Sequence, residues 1–186
     1  MSIPIHSAYI YAESRDLIVH LSGIVISSLV AGNSVVIVAT KEHEQQLVES
    51  LGKFPIDIAR YAQQGLYTML ESEELLSMFM VNDMPDATRF RDSVYPIVQS
   101  AQERSRDASK GVTVFGEMVA ALAARGNHRA ALRLEELWNE ALEKIPFLLF
   151  CGYPKQVLQH DSQEAAVRAA HSSVLKSHRA ASLLAS

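Results

Sequence analysis

An α/β fold with a mainly parallel sheet is the class this sequence predicts, and three observations carry the prediction. Short apolar segments alternate with amphipathic helical periods along the whole chain, the pattern of repeated right-handed crossovers. Residues 35–39 (VVIVA) are continuously apolar, as a strand must be when helices cover both its faces. The 186 residues, 48% hydrophobic and 20% charged, suffice for one domain with its own core. The expected architecture is a single three-layer domain over residues 1–176, followed by a frayed tail over 177–186.

The elements follow in order. Residues 6–11 (HSAYIY) are aromatic and β-branched and read as a strand. Glu13, Ser14, Arg15 and Asp16 make a polar break where a helix running to about Ala31 can start. Thr40 follows the strand 35–39 as the cap of a helix over about 41–51, which Gly52 ends in the position where a left-handed residue is favoured. Two short strands are expected at 56–61 and 66–70. Ser72 can cap a helix with Leu75, Leu76, Phe79 and Met80 on one face, and Asp86 opens another that Pro96 should kink or split.

A strand over 112–115 leads into a helical hairpin. Gly126 and Asn127 supply a stop and a new N-cap in adjacent positions. After them Ala130, Leu134, Leu137, Trp138, Ala141 and Ile145 recur at helical spacing. Residues 147–151 (FLLFC) read as the last strand, and 163–175 as the last amphipathic helix.

Composition excludes several function classes. A net charge of −4 and no run of Lys or Arg argue against a nucleic-acid surface, which needs a clustered basic face. Cys151 is the single cysteine, so no intramolecular disulfide is possible. With no charged start leading into a cleavable apolar segment, the location expected is cytoplasmic. No charge occurs from residue 17 to 40, long enough to span a bilayer, but Gly32–Asn33 is a turn signal and serines interrupt the run. A buried helix and strand are expected there, not a membrane span.

In open α/β sheets, ligands sit outside the carboxyl ends of the strands. That rule gathers Tyr11 and Glu13, then Thr40, Lys41 and His43, then Gly116, Glu117 and Met118, and finally Cys151, Gly152 and Tyr153. Each also has a plain structural role: Glu117 suits a helix N-terminus, the tyrosines suit a boundary, and Cys151 suits a small buried hydrophobe. The turn after the first strand, AESRD, has no glycine-rich phosphate cradle and carries two carboxylates, which disfavours nucleotide hydrolysis. No serine lies in a nucleophile elbow, and no His/Cys pair has zinc spacing. Catalysis, a cofactor and a metal are therefore not expected. Glu135, Glu136, Glu140 and Glu143 read as a solvated helix face.

Several segments together resemble one family: HSAYIY, VVIVATKEH, GLYTMLESEELLSMFM, NDMPDATRF, GEMVAALAARGNHRAALRLEELWN, LLFCGYP and AAHSSVL. They are similar to the MEDS domain, the methanogen/methylotroph, dichloromethane-responsive regulator sensory domain. The resemblance implies a RecA/KaiC-like fold that has lost its phosphate-binding loop. It also implies a non-catalytic sensory or signal-input role in which a small, largely apolar hydrocarbon derivative binds and a partner reads the change. That partner would be a signalling protein such as a histidine kinase or a transcription regulator, with homodimerisation as a further expectation. The ligand-binding residues expected are Tyr11, His43, Glu117, Met118, Cys151 and Tyr153. The chain would be a stand-alone sensor or an excised input domain. A degenerate nucleotide-binding relative and a ligand-free interaction scaffold are the competing readings.

Overall fold

The structure is a computed structural model that describes residues 5–106, 111–158 and 160–177. Its centre is a sheet of six strands, all parallel: β1 (Ile5–Tyr11), β2 (Ser34–Ala39), β3 (Tyr67–Glu71), β6 (Val112–Gly116), β7 (Leu148–Pro154) and β8 (Ser173–Lys176). Their spatial order is β3-β2-β6-β7-β1-β8. The remaining strands, β4 (Met80–Val81) and β5 (Met84–Pro85), form a separate antiparallel ribbon whose turn places Asn82 and Asp83 at positive φ.

Strand alternation divides the apolar residues between two faces. On one face Tyr9, Tyr11, Val35, Ile37 and Phe115 pack against α1 (Ser14–Val30) and α2 (Lys41–Leu51). On the other, Ala8, Ile10, Val36, Val38, Leu149, Cys151 and Tyr153 pack against α4 (Ser72–Phe79), α5 (Ala87–Arg104), α6 (Met118–Ala124), α7 (His128–Lys144) and α8 (Asp161–Ala170). Three layers result, as expected. Trp138 is buried in the second core with its ring edge-on to Phe90 at 5.1 Å.

The charge-free stretch forms a helix, a Gly32 turn at φ 83° and β2, and among the described residues no helix is long and apolar enough to cross a membrane. Two of the serines that interrupt α1 find partners across elements, Ser22 bonding Ser50 and Ser28 bonding Thr113, while Ser27 donates back to the Ile24 carbonyl.

Five local expectations need correction. Residues 56–61 form no strand; Asp57 caps the short helix α3 (Ile58–Gln63) by accepting from the Arg60 amide. Ile58 and Tyr61, three apart, face the core, so the short apolar run followed the helical period. Gly52 is right-handed at φ −62° and its amide still bonds back to the Val48 carbonyl, so the end of α2 needs no left-handed residue there. Pro96 does not split α5, which continues unbroken through it. Glu71, not Ser72, caps α4, because its longer carboxylate reaches the Glu74 amide at 2.8 Å.

The fifth correction bears on the site. Residues 163–175 are not one helix: α8 stops at Ala170, and residues 173–176 pair with β1 as β8. Ser172 donates its amide to the His6 carbonyl at 2.7 Å, and Ser7 and Ser173 share a hydroxyl bond of the same length. Serines compete with helical hydrogen bonding, and the free edge of β1 supplies the alternative. The tail expected over 177–186 lies outside the described residues except for Ser177, whose amide donates to the Ile10 carbonyl.

Candidate functional site

Two buried polar clusters and one pocket stand out. The first cluster lies where the connections of adjacent strands diverge. From β2 the chain leaves through α2 toward β3, while from neighbouring β6 it leaves through α6 and α7 toward β7 on the opposite face. This crevice between β2 and β6 is the usual ligand position of an open parallel sheet. Here a side chain fills it. Glu117 Oε2 accepts the Thr40 backbone N–H at 3.1 Å, and Oε1 receives the Tyr11 hydroxyl at 3.4 Å and lies 2.6 Å from His43 Nδ1. The other ring nitrogen of His43 bonds Ser14 Oγ at 2.9 Å.

Charge runs through this network. Burial alone pulls the His43 pKa down, but the hydrogen bond and negative charge of Glu117 outweigh it and hold the imidazolium above its ordinary range. Burial, then the Glu117 charge, pushes the Tyr11 hydroxyl well above its usual value, so it stays a neutral donor.

The second cluster lies under α7 and α8. His6 from β1, Cys151 from β7, Glu135 from α7 and His171 after α8 are all buried, and their ligand-capable atoms lie within 4.8 Å of one another. His6 Nε2 is 3.3 Å from Cys151 Sγ and 3.4 Å from Glu135 Oε2; His171 Nε2 is 3.6 Å from Glu135 Oε1. The two imidazole rings are 4.0 Å apart. Tyr153 donates its hydroxyl to Glu135 Oε1.

Burial sets the protonation of this group. It lifts the Glu135 carboxyl to about 8, raises the Cys151 thiol well above its usual range, lowers His6, and with the neighbouring His6 lowers His171 to about 3. The carboxyl and imidazoles are thereby driven toward neutral forms, so the close His–Glu contacts are not ordinary ion pairs.

Against this cluster rests a pocket of about 430 Å³. Val119, Ala123, Ala131, Leu132, Val157, Leu158, Ala166 and Val167 supply its apolar wall, and Glu135 and Tyr153 supply polar groups from the second cluster. It is framed by α6, α7, α8 and the helical turn Lys155–Val157 after β7.

The six residues expected to bind ligand therefore separate. Tyr11, His43 and Glu117 join one network on the α1/α2 face; Cys151 and Tyr153 join the other cluster, and of the six only Tyr153 lines the pocket. Met118 is buried in the core between sheet and helices. His6, His171 and Glu135 were missed. Glu135 is a correction to the solvated face, for it is only 4% exposed; Glu136 and Glu140 pair with Arg133 at the surface as expected. A signal was present: Glu135 falls in register with Ala131, Trp138 and Leu142 on the apolar stripe. His6 likewise shares a strand face with Ala8 and Ile10.

The sequence profile of MEDS, the MEthanogen/methylotroph, DcmR Sensory domain, matches residues 5–171, which contain both clusters and the pocket. The chain belongs to the MEDS family. MEDS is a sensory domain, so the role carried by this chain is sensory. The match ends at His171, the last member of the second cluster, and leaves β8 outside. Comparison with curated proteins finds no match.

Proposed function

We propose that this MEDS domain senses a small, largely apolar organic molecule, a hydrocarbon derivative, in the pocket between α6, α7 and α8. The carrying observation is the pocket's construction: a wall of small and branched apolar side chains with the buried pair Glu135 and Tyr153, and with His128, His160, Ser162 and Gln163 also on its lining. Its volume falls at the small end of the roughly 300–1,000 Å³ typical of ligand sites. The buried carboxyl gives a ligand with one polar atom a hydrogen-bond partner, and the alanines at 123, 131 and 166 leave room for its apolar part.

Transmission follows from the same elements. Filling the pocket changes the relative stability of positions of α8 against α7, and a partner that contacts these helices reads the shift. The partner proposed is a signalling protein, a histidine kinase or transcription regulator, in the cytoplasm, with homodimerisation as a second route of output. The all-parallel sheet supports a RecA/KaiC-like core. Residual nucleotide binding gains no support from the crevice, where the Glu117 carboxylate accepts the Thr40 amide at the start of α2 and would repel a phosphate there.

The test is a thermal-shift and native mass-spectrometry screen of the intact chain with short halogenated and hydroxylated hydrocarbons and with magnesium ATP. A saturable hydrocarbon adduct that is lost in Ala166→Phe, a variant that fills the pocket from its partly exposed side, is the expected result. Saturable ATP binding with no hydrocarbon adduct would overturn it.

A further inference from the structure

We propose that His6, Glu135, Cys151 and His171 bind one divalent transition-metal ion, zinc foremost, at the floor of the pocket. The hydrogen bonds around the cluster assign its lone pairs. Asn139 Nδ2 donates to the Ala170 carbonyl at 3.3 Å, which turns Asn139 Oδ1 toward His6 Nδ1 at 2.9 Å. An amide oxygen only accepts, so His6 carries its proton on Nδ1. The Val167 carbonyl, 2.7 Å from His171 Nδ1, assigns that ring the same way. Both Nε2 atoms are then bare lone pairs, and both face Glu135.

Four electron-pair donors thus converge in a buried space: two imidazole nitrogens, a carboxyl and a sulfur. Among the described residues, Glu135 Oε2 and His171 Nε2 have no hydrogen-bond partner, the costly condition for buried polar atoms. Protons on Cys151 and Glu135 offset part of the repulsion. A dication satisfies all four at once, and it replaces those protons, because metal ligands bind deprotonated.

Distance and chemistry agree on the kind of ion. Zinc holds nitrogen and oxygen at about 2.0–2.2 Å and sulfur at about 2.3 Å, so neighbouring ligand atoms of a tetrahedron stand roughly 3.3–3.6 Å apart. Three contacts have the length of such edges, 3.3 Å from His6 Nε2 to Cys151 Sγ, 3.4 Å from His6 Nε2 to Glu135 Oε2 and 3.6 Å from His171 Nε2 to Glu135 Oε1, the last two through different carboxylate oxygens. A thiolate with two imidazoles selects zinc and its neighbours over magnesium or calcium. Each histidine also gives its Nδ1–H to an oxygen, the arrangement that orients metal-bound imidazoles. Glu135 and Tyr153 line the pocket and so mark the way in. The site stands independently of the hydrocarbon reading.

The full chain, stripped with a chelator, is titrated with Co²⁺ alone and followed by visible absorption, then challenged with Zn²⁺. One equivalent should produce a thiolate-to-cobalt charge-transfer band and the intense visible bands of a tetrahedral site, and Zn²⁺ should abolish both. Cys151 is the chain's single cysteine, so the charge-transfer band identifies it without mutagenesis. Asn139→Ala should weaken binding roughly 10- to 100-fold, the loss expected for an outer hydrogen-bond partner, and His171→Gln should weaken it further. His20→Gln, on the opposite face of the sheet, should bind as the parent does. Absence of the charge-transfer band from the wild-type chain, or a weak octahedral spectrum indifferent to His171→Gln, overturns the proposal.

Discussion

The two buried clusters are built from the same side chains and end in opposite states. Around Glu117 every polar atom is used: both carboxylate oxygens, both nitrogens of His43, the Tyr11 hydroxyl and the Thr40 amide. Around Glu135 the tyrosine, carboxyl and histidines recur with a cysteine added, but Glu135 Oε2 and His171 Nε2 have no hydrogen-bond partner among the described residues, and a pocket adjoins. A satisfied buried network specifies a conformation; an unsatisfied one has capacity left for something else. The difference lies in what surrounds the carboxylate. Glu117 meets the amide at the start of α2, whereas Glu135 projects from mid-helix, where the backbone has no donor to offer.

The sharpest way to break this comparison is to remove each carboxylate. Glu117→Ala leaves His43, Tyr11 and the Thr40 amide without their partner and should cost about 3–5 kcal/mol in urea unfolding. Glu135→Gln, measured on the metal-free chain, should change stability by no more than about 1 kcal/mol, since burial already favours the neutral carboxyl. Equal losses would show that the clusters do not differ in kind.

Gly152 offers a smaller test of the boundary between the two regions. A Cβ there would stand 2.9 Å from the Phe115 ring on the α1 side of β7. Gly152→Ala should therefore cost about 1–3 kcal/mol, with the cobalt spectrum of the other face unchanged. A perturbed spectrum at constant stability would mean that β7 moves as a unit.

The smallest expected effect is the pH dependence of the satisfied side, read as the difference between the wild type and a His43 variant, because Glu135, whose carboxyl is lifted to about 8, titrates in the same window. The folded-state pKa of His43 is raised above the ordinary 6.5, so its stabilisation is fully present below pH 6.5 and is lost as pH rises through the raised value. His43→Gln should flatten the stability profile in that window. A wild-type profile that falls less steeply there than that of His43→Gln would reverse the sign assigned to the His43–Glu117 pair.

Much of the fold was legible because its signals are local. Period-2 and continuous apolar runs marked β1, β2, β6 and β7, and the caps Thr40, Asp86 and Asn127 each accept the hydrogen bond their position promised. The strand-end rule also led to Tyr11, His43 and Glu117, which meet in one network. Spacing could not reveal the second cluster, whose members come from positions 6, 135, 151 and 171. Metal-site patterns read from sequence depend on ligands close along one element, and here β1, α7, β7 and the α8–β8 junction supply one each.

By itself, then, the sequence determined the α/β class, the parallel sheet, most helix starts and the family, since these follow from hydrophobic period, capping chemistry and residue order. The tertiary structure alone decided that Glu135, whose register already put it on the apolar stripe of α7, meets His6 and His171, and that residues 173–176 pair as a strand. It also decided that His6 and His171 lie with their rings 4.0 Å apart. The physical reason is that a side chain's partners depend on which helix face and which strand edge the packed sheet brings against it, and residues 165 positions apart carry no local trace of meeting.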